Sequence, residues 1–145
     1  VPPPTVPPLA DSIAAQLTGT WKLIEIRDRD ASGVEQPALR GAAGGQLLYA
    51  ANGRLSVQII RTGREHLPAG SSTGFSSYFG TWKLMPLEGY VMHQQDGSLN
   101  PTQTGQAAKR YYSFDSAGHL ALATPPAKRE DGRMLSTVFV CERLP

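Results

Sequence analysis

From residue 20 onward, apolar and polar residues alternate in runs of five to nine, broken by glycine, asparagine or aspartate. Alternation with a period of two marks a strand that buries one face. A different pattern comes first: Asp11 to Leu17 offers an N-cap, then Ile13 and Leu17 one helical turn apart, then a stop at Gly19. That spacing predicts one short helix. Eight strands are then predicted, over 20–27, 46–50, 54–60, 76–84, 90–95, 109–114, 119–123 and 136–143. Asn52-Gly53 between the second and third reads as a tight hairpin turn, because glycine takes positive φ without strain. No helix long enough to cross over separates the strands, so they should pair antiparallel and in sequence. Eight such strands can close into an all-β up-and-down barrel, with no free edges and room for one small ligand. A two-sheet sandwich is the competing architecture.

Five of the twelve prolines lie within residues 1–8, which should form an extended tail, so that residues 1–10 precede a single barrel domain over 11–145. The length of 145 residues suits one disulfide-free core. Charge adds exclusions. A formal net charge of +2 without a local run of Lys and Arg argues against nucleic acid as a partner. No apolar run approaches the ~18 residues of a membrane span. Cys141 is the only cysteine, so neither an intrachain disulfide nor a cysteine metal site is open to the chain, and its apolar strand predicts a buried, inert thiol. Ten Arg stand against four Lys, an imbalance that favours planar, bidentate or stacked roles for the cations. The chain opens on Val1, as expected of a processed N-terminus; a removed leader would imply a periplasmic or secreted protein, its absence a cytoplasmic one.

Several motifs then converge on one family. Gly19-Thr20-Trp21, after a short helix and opening the first strand, resembles the Gly-x-Trp signature of lipocalins, and Arg143 matches the basic residue that closes the barrel base across that tryptophan. Gly19 to Leu23, Gly45 through Tyr49 to Gly53, Arg54, Ser56, Val57 and Gln58, and His93 with Gly97, Ser98, Asn100 and Pro101 resemble the bacterial and fungal lipocalin-like domain family. Gly105 and Arg110 fall where that family has glycine and arginine. The resemblance runs from about residue 12 to 144 and implies a lipocalin-type barrel, a fold that hosts both carriers and enzymes. Gly80 to Leu84 repeats Gly19 to Leu23 word for word, as two similar strand starts meeting similar packing demands would, a half-barrel duplication being the alternative.

Alternation also sorts the candidate chemistry. Arg110, Tyr112 and Phe114 share one face of their strand, and Val91, His93 and Gln95 share one face of theirs. If these faces point inward, the barrel holds aromatic and aliphatic walls with a few polar groups, a lining suited to a small apolar or aromatic molecule carrying one or two oxygens. His93 is the candidate for proton transfer. Arg110, inside a barrel, needs a partner: Glu25, Tyr49 or a ligand anion. Tyr49, Gln58, Asn100 and Tyr112 are the accompanying ligand-contact candidates. His66, His93 and His119 are too scattered to form a recognisable metal set, and no phosphate loop or Gly-x-Ser-x-Gly occurs, so neither a cofactor nor a metal is expected. Residues 61–75, with Arg61, Arg64 and His66, are long enough to cover the barrel mouth. Binding of a small apolar or aromatic metabolite is the preferred reading. The alternative is a cofactor-independent isomerase, cyclase or lyase in which His93 moves a proton and Arg110 stabilises an anion.

Overall fold

The computed structural model describes residues 9–145; the proline-rich stretch 1–8 lies outside the described residues. Helix α1 (Leu9–Leu17) begins two residues before Asp11, so Asp11 sits in its first turn, where a carboxylate favours the helix dipole, and not at the cap. The strands that follow are β1 (Gly19–Arg29), β2 (Glu35–Pro37), β3 (Ala42–Tyr49), β4 (Arg54–Arg61), β5 (Phe75–Met85), β6 (Tyr90–Ser98), β7 (Ala107–Phe114), β8 (Leu120–Ala123), β9 (Ala127–Lys128) and β10 (Met134–Arg143). Every pairing is antiparallel. The order β1-β3-β4-β5-β6-β7-β8-β10 closes on itself when β10 pairs back with β1 over Trp21–Arg29 and Ser136–Arg143. The result is a closed eight-stranded barrel. The short β2 and β9, absent from the sequence reading, extend the ends of β1 and β10 at the open end of the barrel.

The pairings hold three register shifts, one of them between Ala42 and Gly44 of β3, and the other two bear on the faces around the site. Trp21 and Leu23 are buried on the inner face of β1, but the register slips between Leu23 and Glu25, and Ile26 becomes the next buried residue. A bulge adds one residue and so exchanges the two faces beyond it. Glu25 is thereby turned outward, where it accepts a hydrogen bond from Arg27 at 2.7 Å. Of the three candidate partners of Arg110, Glu25 is therefore ruled out. The second bulge lies between β5 and β6, where Phe79 pairs with Gly97 and Gly80 with Gln95. Gly80 makes this close approach sterically allowed, since a Cβ there would stand 1.8 Å from the Gln94 carbonyl oxygen.

One end of the barrel is plugged. Trp21 is fully buried, its indole Nε1 donates to the Leu17 carbonyl at 2.8 Å, and the Arg143 guanidinium lies 4.3 Å above its ring. Arg143 also donates to the carbonyls of Thr18, at 2.7 Å, and Gln16. Gly19 has φ of +139°, and a Cβ on it would meet the Arg143 guanidinium at 2.5 Å, so glycine leaves space for the stacked cation. Trp82, in the repeated pentapeptide, also points inward and donates to the Ala50 carbonyl at 2.9 Å. Each copy thus uses its indole N–H to satisfy a carbonyl at the same end of the barrel. Leu47, Leu55, Val91, Leu120 and Leu122 complete the packed half. No helix among the described residues is long and apolar enough to cross a membrane.

Candidate functional site

Above the plug, the inward face of β6 places His93 in the barrel wall with 1% exposure. Its ring nitrogens are both occupied by phenols. Tyr49, from β3, has its hydroxyl 2.5 Å from Nε2; Tyr78, from β5, has its hydroxyl 2.8 Å from Nδ1. The Tyr49 ring meets the His93 ring edge-on and packs at 4.9 Å on Trp82, which fixes the phenol's direction.

Burial, reinforced by the nearby positive charge of Arg110, holds the His93 pKa well below the ordinary histidine value, so the imidazole is neutral. A neutral imidazole offers one N–H and one acceptor nitrogen. Tyr49 is fully buried, and its hydroxyl makes no side-chain contact other than that with Nε2 among the described residues. If Nε2 donated to Tyr49, the phenol's own proton would be left without an acceptor, a costly arrangement in a core. The favoured arrangement is therefore Tyr49 O–H donating to Nε2 and Nδ1–H donating to the Tyr78 oxygen. Tyr78 then has its own O–H left to donate.

That remaining donor sits between two hollows. An interior cavity of about 80 Å³ is walled by Leu23, Val57, Ile59, Leu122 and Phe139, with Tyr78, His93 and Arg110 as its main polar groups. A more open and polar cleft of about 450 Å³ at the barrel mouth shares Tyr78 and Arg110 and is bounded by Ser72 and Phe75 on one side and by Gln95 and Asn100 on the other. Arg110 lies on the inward face of β7 with Tyr112 and Phe114, as the alternation predicts. The positive charge of its guanidinium opposes the rise in the Tyr78 pKa that burial causes. It also donates to the Lys109 carbonyl at 2.9 Å, and among the described residues it forms no ion pair with any carboxylate. Burial drives the Tyr49 pKa well above the phenol value, so both tyrosines are neutral hydrogen-bonding groups.

The other expected contact residues divide. Tyr49 reaches His93. Tyr112 points inward but packs 6.4 Å from Phe114, which in turn lies 6.4 Å from Trp21, in the packed half of the barrel. Gln58 is corrected: it lies on the outer face of β4, opposite Gln46, where it donates to Ser56 Oγ at 3.1 Å and accepts from Gln46 at 3.2 Å. Asn100 borders the mouth cleft, but its side-chain oxygen accepts from the Thr102 amide and hydroxyl and caps the 3₁₀ turn Pro101–Gln103. Of residues 62–74 only Ser72 borders the cleft; within the segment Arg64 donates to the carbonyls of Ser71, at 3.0 Å, and Thr73 and stacks on Phe75. Arg61 belongs to the end of β4 and not to that connection.

Tyr78 was not among the residues singled out from the sequence. The signal was present, because strict alternation within 76–84 puts Tyr78 on the same face as Trp82. No group of three or more His, Cys, Asp or Glu side chains converges among the described residues. In comparisons with known proteins, the profile of a family described as a lipocalin-like domain matches residues 18–144. No curated protein sequence matches the chain.

Proposed function

The chain belongs to the lipocalin-like domain family, and on that premise we propose that it binds a small, largely apolar or aromatic molecule in its barrel, with a ligand oxygen held between Tyr78 and Arg110. The carrying observation is that two buried phenols, of Tyr49 and Tyr78, take up both ring nitrogens of a buried His93. With a neutral imidazole the arrangement that satisfies every buried group has Tyr49 donating to His93 and His93 to Tyr78, which leaves Tyr78 one O–H beside a guanidinium that, among the described residues, has no carboxylate partner. A chain of donors aligned in this way polarises its last member and favours an acceptor such as a carboxylate, phenolate or carbonyl oxygen. The apolar cavity of about 80 Å³ is roughly half the ~150 Å³ of a cavity that takes benzene, so it receives a small apolar end of the ligand while the rest lies in the mouth cleft.

The same chain supports binding over turnover. If Tyr78 gave its proton to a substrate and the others followed, the negative charge would end on Tyr49, whose burial raises its pKa far above the phenol range. Tyr49 is fully buried, and the hydroxyl's one side-chain hydrogen bond among the described residues is to His93, so no neighbouring group stands ready to return a proton. The triad therefore suits orientation of a ligand oxygen better than the proton cycling that an isomerase or lyase reading requires.

Calorimetry with an aromatic carboxylate series and the matching methyl esters tests this, with mass spectrometry of the recovered compounds. The carboxylates should bind more tightly than the esters, Tyr78→Phe and Arg110→Met should each weaken them, and the compounds should be recovered unchanged. Equal affinity for acid and ester, or affinities unmoved by either substitution, would remove Tyr78 and Arg110 from the assignment; recovery of a rearranged compound would favour the enzymatic reading.

A further inference from the structure

On the β1, β4 and β10 side of the mouth, the inward-facing positions change from apolar to polar. Arg61 follows Leu55, Val57 and Ile59 on β4; Asp28 follows Ile26 on β1; Thr137 precedes Phe139 on β10. Arg40, from the β2–β3 connection, and Arg129, just after β9, join them around one recess of about 380 Å³. Three guanidiniums thus face one carboxylate. Asp28 is already engaged: it accepts from Arg129 at 3.1 Å, and Arg129 also donates to Thr137 Oγ1 at 3.0 Å. Arg61 donates to the Arg40 carbonyl at 2.9 Å, and Arg40 Nε donates to the Thr62 carbonyl at 3.0 Å. Carbonyls satisfy single N–H groups and neutralise no charge. Among the described residues neither Arg40 nor Arg61 has an ion-pair partner.

Both cations are held in place by the backbone. The Arg40 guanidinium lies against Gly63 and Gly74, and a Cβ at Gly74 would stand 2.6 Å from it. Arg61 is half-buried. Burial disfavours its charged form; Asp28 compensates in part, while Arg129 and Arg40 add to the penalty. A positioned pair of guanidinium forks without a carboxylate partner among the described residues, one of them half-buried, is the chemistry that receives a tetrahedral oxyanion.

We propose that this recess binds a doubly charged tetrahedral oxyanion, phosphate or the phosphate group of a small monoester, between Arg40 and Arg61 with Arg129 on its third side. The two negative charges match the excess of three guanidiniums over one carboxylate. The site is separate from Arg110, on β7, and stands whether or not the barrel takes up an apolar acid.

Thermal unfolding and calorimetry on the full chain test it, with inorganic phosphate, sulfate and phenyl phosphate compared with chloride at equal ionic strength. Phosphate should bind saturably at one site and raise the melting temperature of the wild type. Arg61→Gln and Arg40→Gln should each lower its affinity at least tenfold, while Arg133→Gln, a surface cation paired with Asp131, should leave it unchanged. Tighter binding of phenyl phosphate than of phosphate would identify a monoester as the source, and equal binding the free ion. Absence of saturable binding, equal effects of chloride, or equal losses in Arg61→Gln and Arg133→Gln would overturn the site. If Arg61→Gln does not fold, Arg40→Gln against Arg133→Gln decides.

Discussion

The Tyr49 hydroxyl lies 2.5 Å from His93 Nε2 and has no other side-chain partner among the described residues. This single contact orients the rest of the site, since it commits Nδ1–H to Tyr78 and leaves the Tyr78 proton free for a ligand. Tyr49 and Tyr78 thereby become unequal, although both touch the same imidazole.

Their phenylalanine variants should separate stability from binding. Tyr49→Phe leaves a fully buried imidazole nitrogen unpaired and should destabilise the fold by about 1–3 kcal/mol. Tyr78 borders two hollows where water can replace its hydroxyl. Tyr78→Phe should therefore change stability less, while lowering affinity for an acidic ligand about tenfold, the worth of roughly one hydrogen bond to a charged group. Urea unfolding and calorimetry on both variants check the contrast.

The neutral His93 makes stability depend on pH. Its folded pKa is depressed below the ordinary 6.5, so below that pH the unfolded chain takes up a proton that the folded chain refuses. Stability should be fully present above about pH 6.5 and fall beneath it, by up to about 1.4 kcal/mol per pH unit. His93→Gln should flatten this slope between about pH 6.5 and 5, above the range in which carboxylates titrate. A slope unchanged in the variant would show that another group carries it.

Closure of the barrel base should depend on Arg143. Arg143→Ala removes the stack on Trp21 and two donated hydrogen bonds, for an expected loss of about 1–3 kcal/mol. Arg143→Lys should recover only part of this, because an ammonium can reach a carbonyl but lacks the planar fork. Thermal unfolding monitored by tryptophan emission reads both.

Glycine at the β5–β6 bulge should tolerate no side chain. Gly80→Ala sets a Cβ against the Gln94 carbonyl, backbone on backbone, and should cost at least about 2 kcal/mol or abolish folding. Gly41→Ala meets nothing within 4 Å and should stay within about 0.5 kcal/mol of the wild type. Denaturant midpoints decide.

The Cys141 thiol is buried between Leu23 and the cavity, and burial pushes its pKa up to about 12. A disulfide reagent should modify it at the rate of unfolding or opening, with little pH dependence across the neutral range. Rapid, thiolate-controlled labelling of the native protein would show that the cavity admits the reagent.

The barrel was legible in the sequence because its causes are local. Alternation marks each strand's buried face, Asn52-Gly53 marks a turn, and Trp21 with Arg143 marks the plug. The same alternation placed His93 and Arg110 on inward faces, and their strands run without a break through those positions. It failed for Glu25, where the bulge after Leu23 exchanges the faces, since one inserted residue leaves no compositional trace.

Partnership was decided by the tertiary structure alone. Tyr49, Tyr78 and His93 come from three strands, and only closure of the barrel brings two phenols to one imidazole. The arginines give the sharper case. Along the chain Arg40, Arg61 and Arg129 are isolated charges, and 101 positions separate Arg129 from the Asp28 it contacts. Periodicity in sequence sets which face a side chain takes on its own strand. Which side chains meet across a closed barrel depends on register and bulges, and these are fixed only when all the strands pair at once.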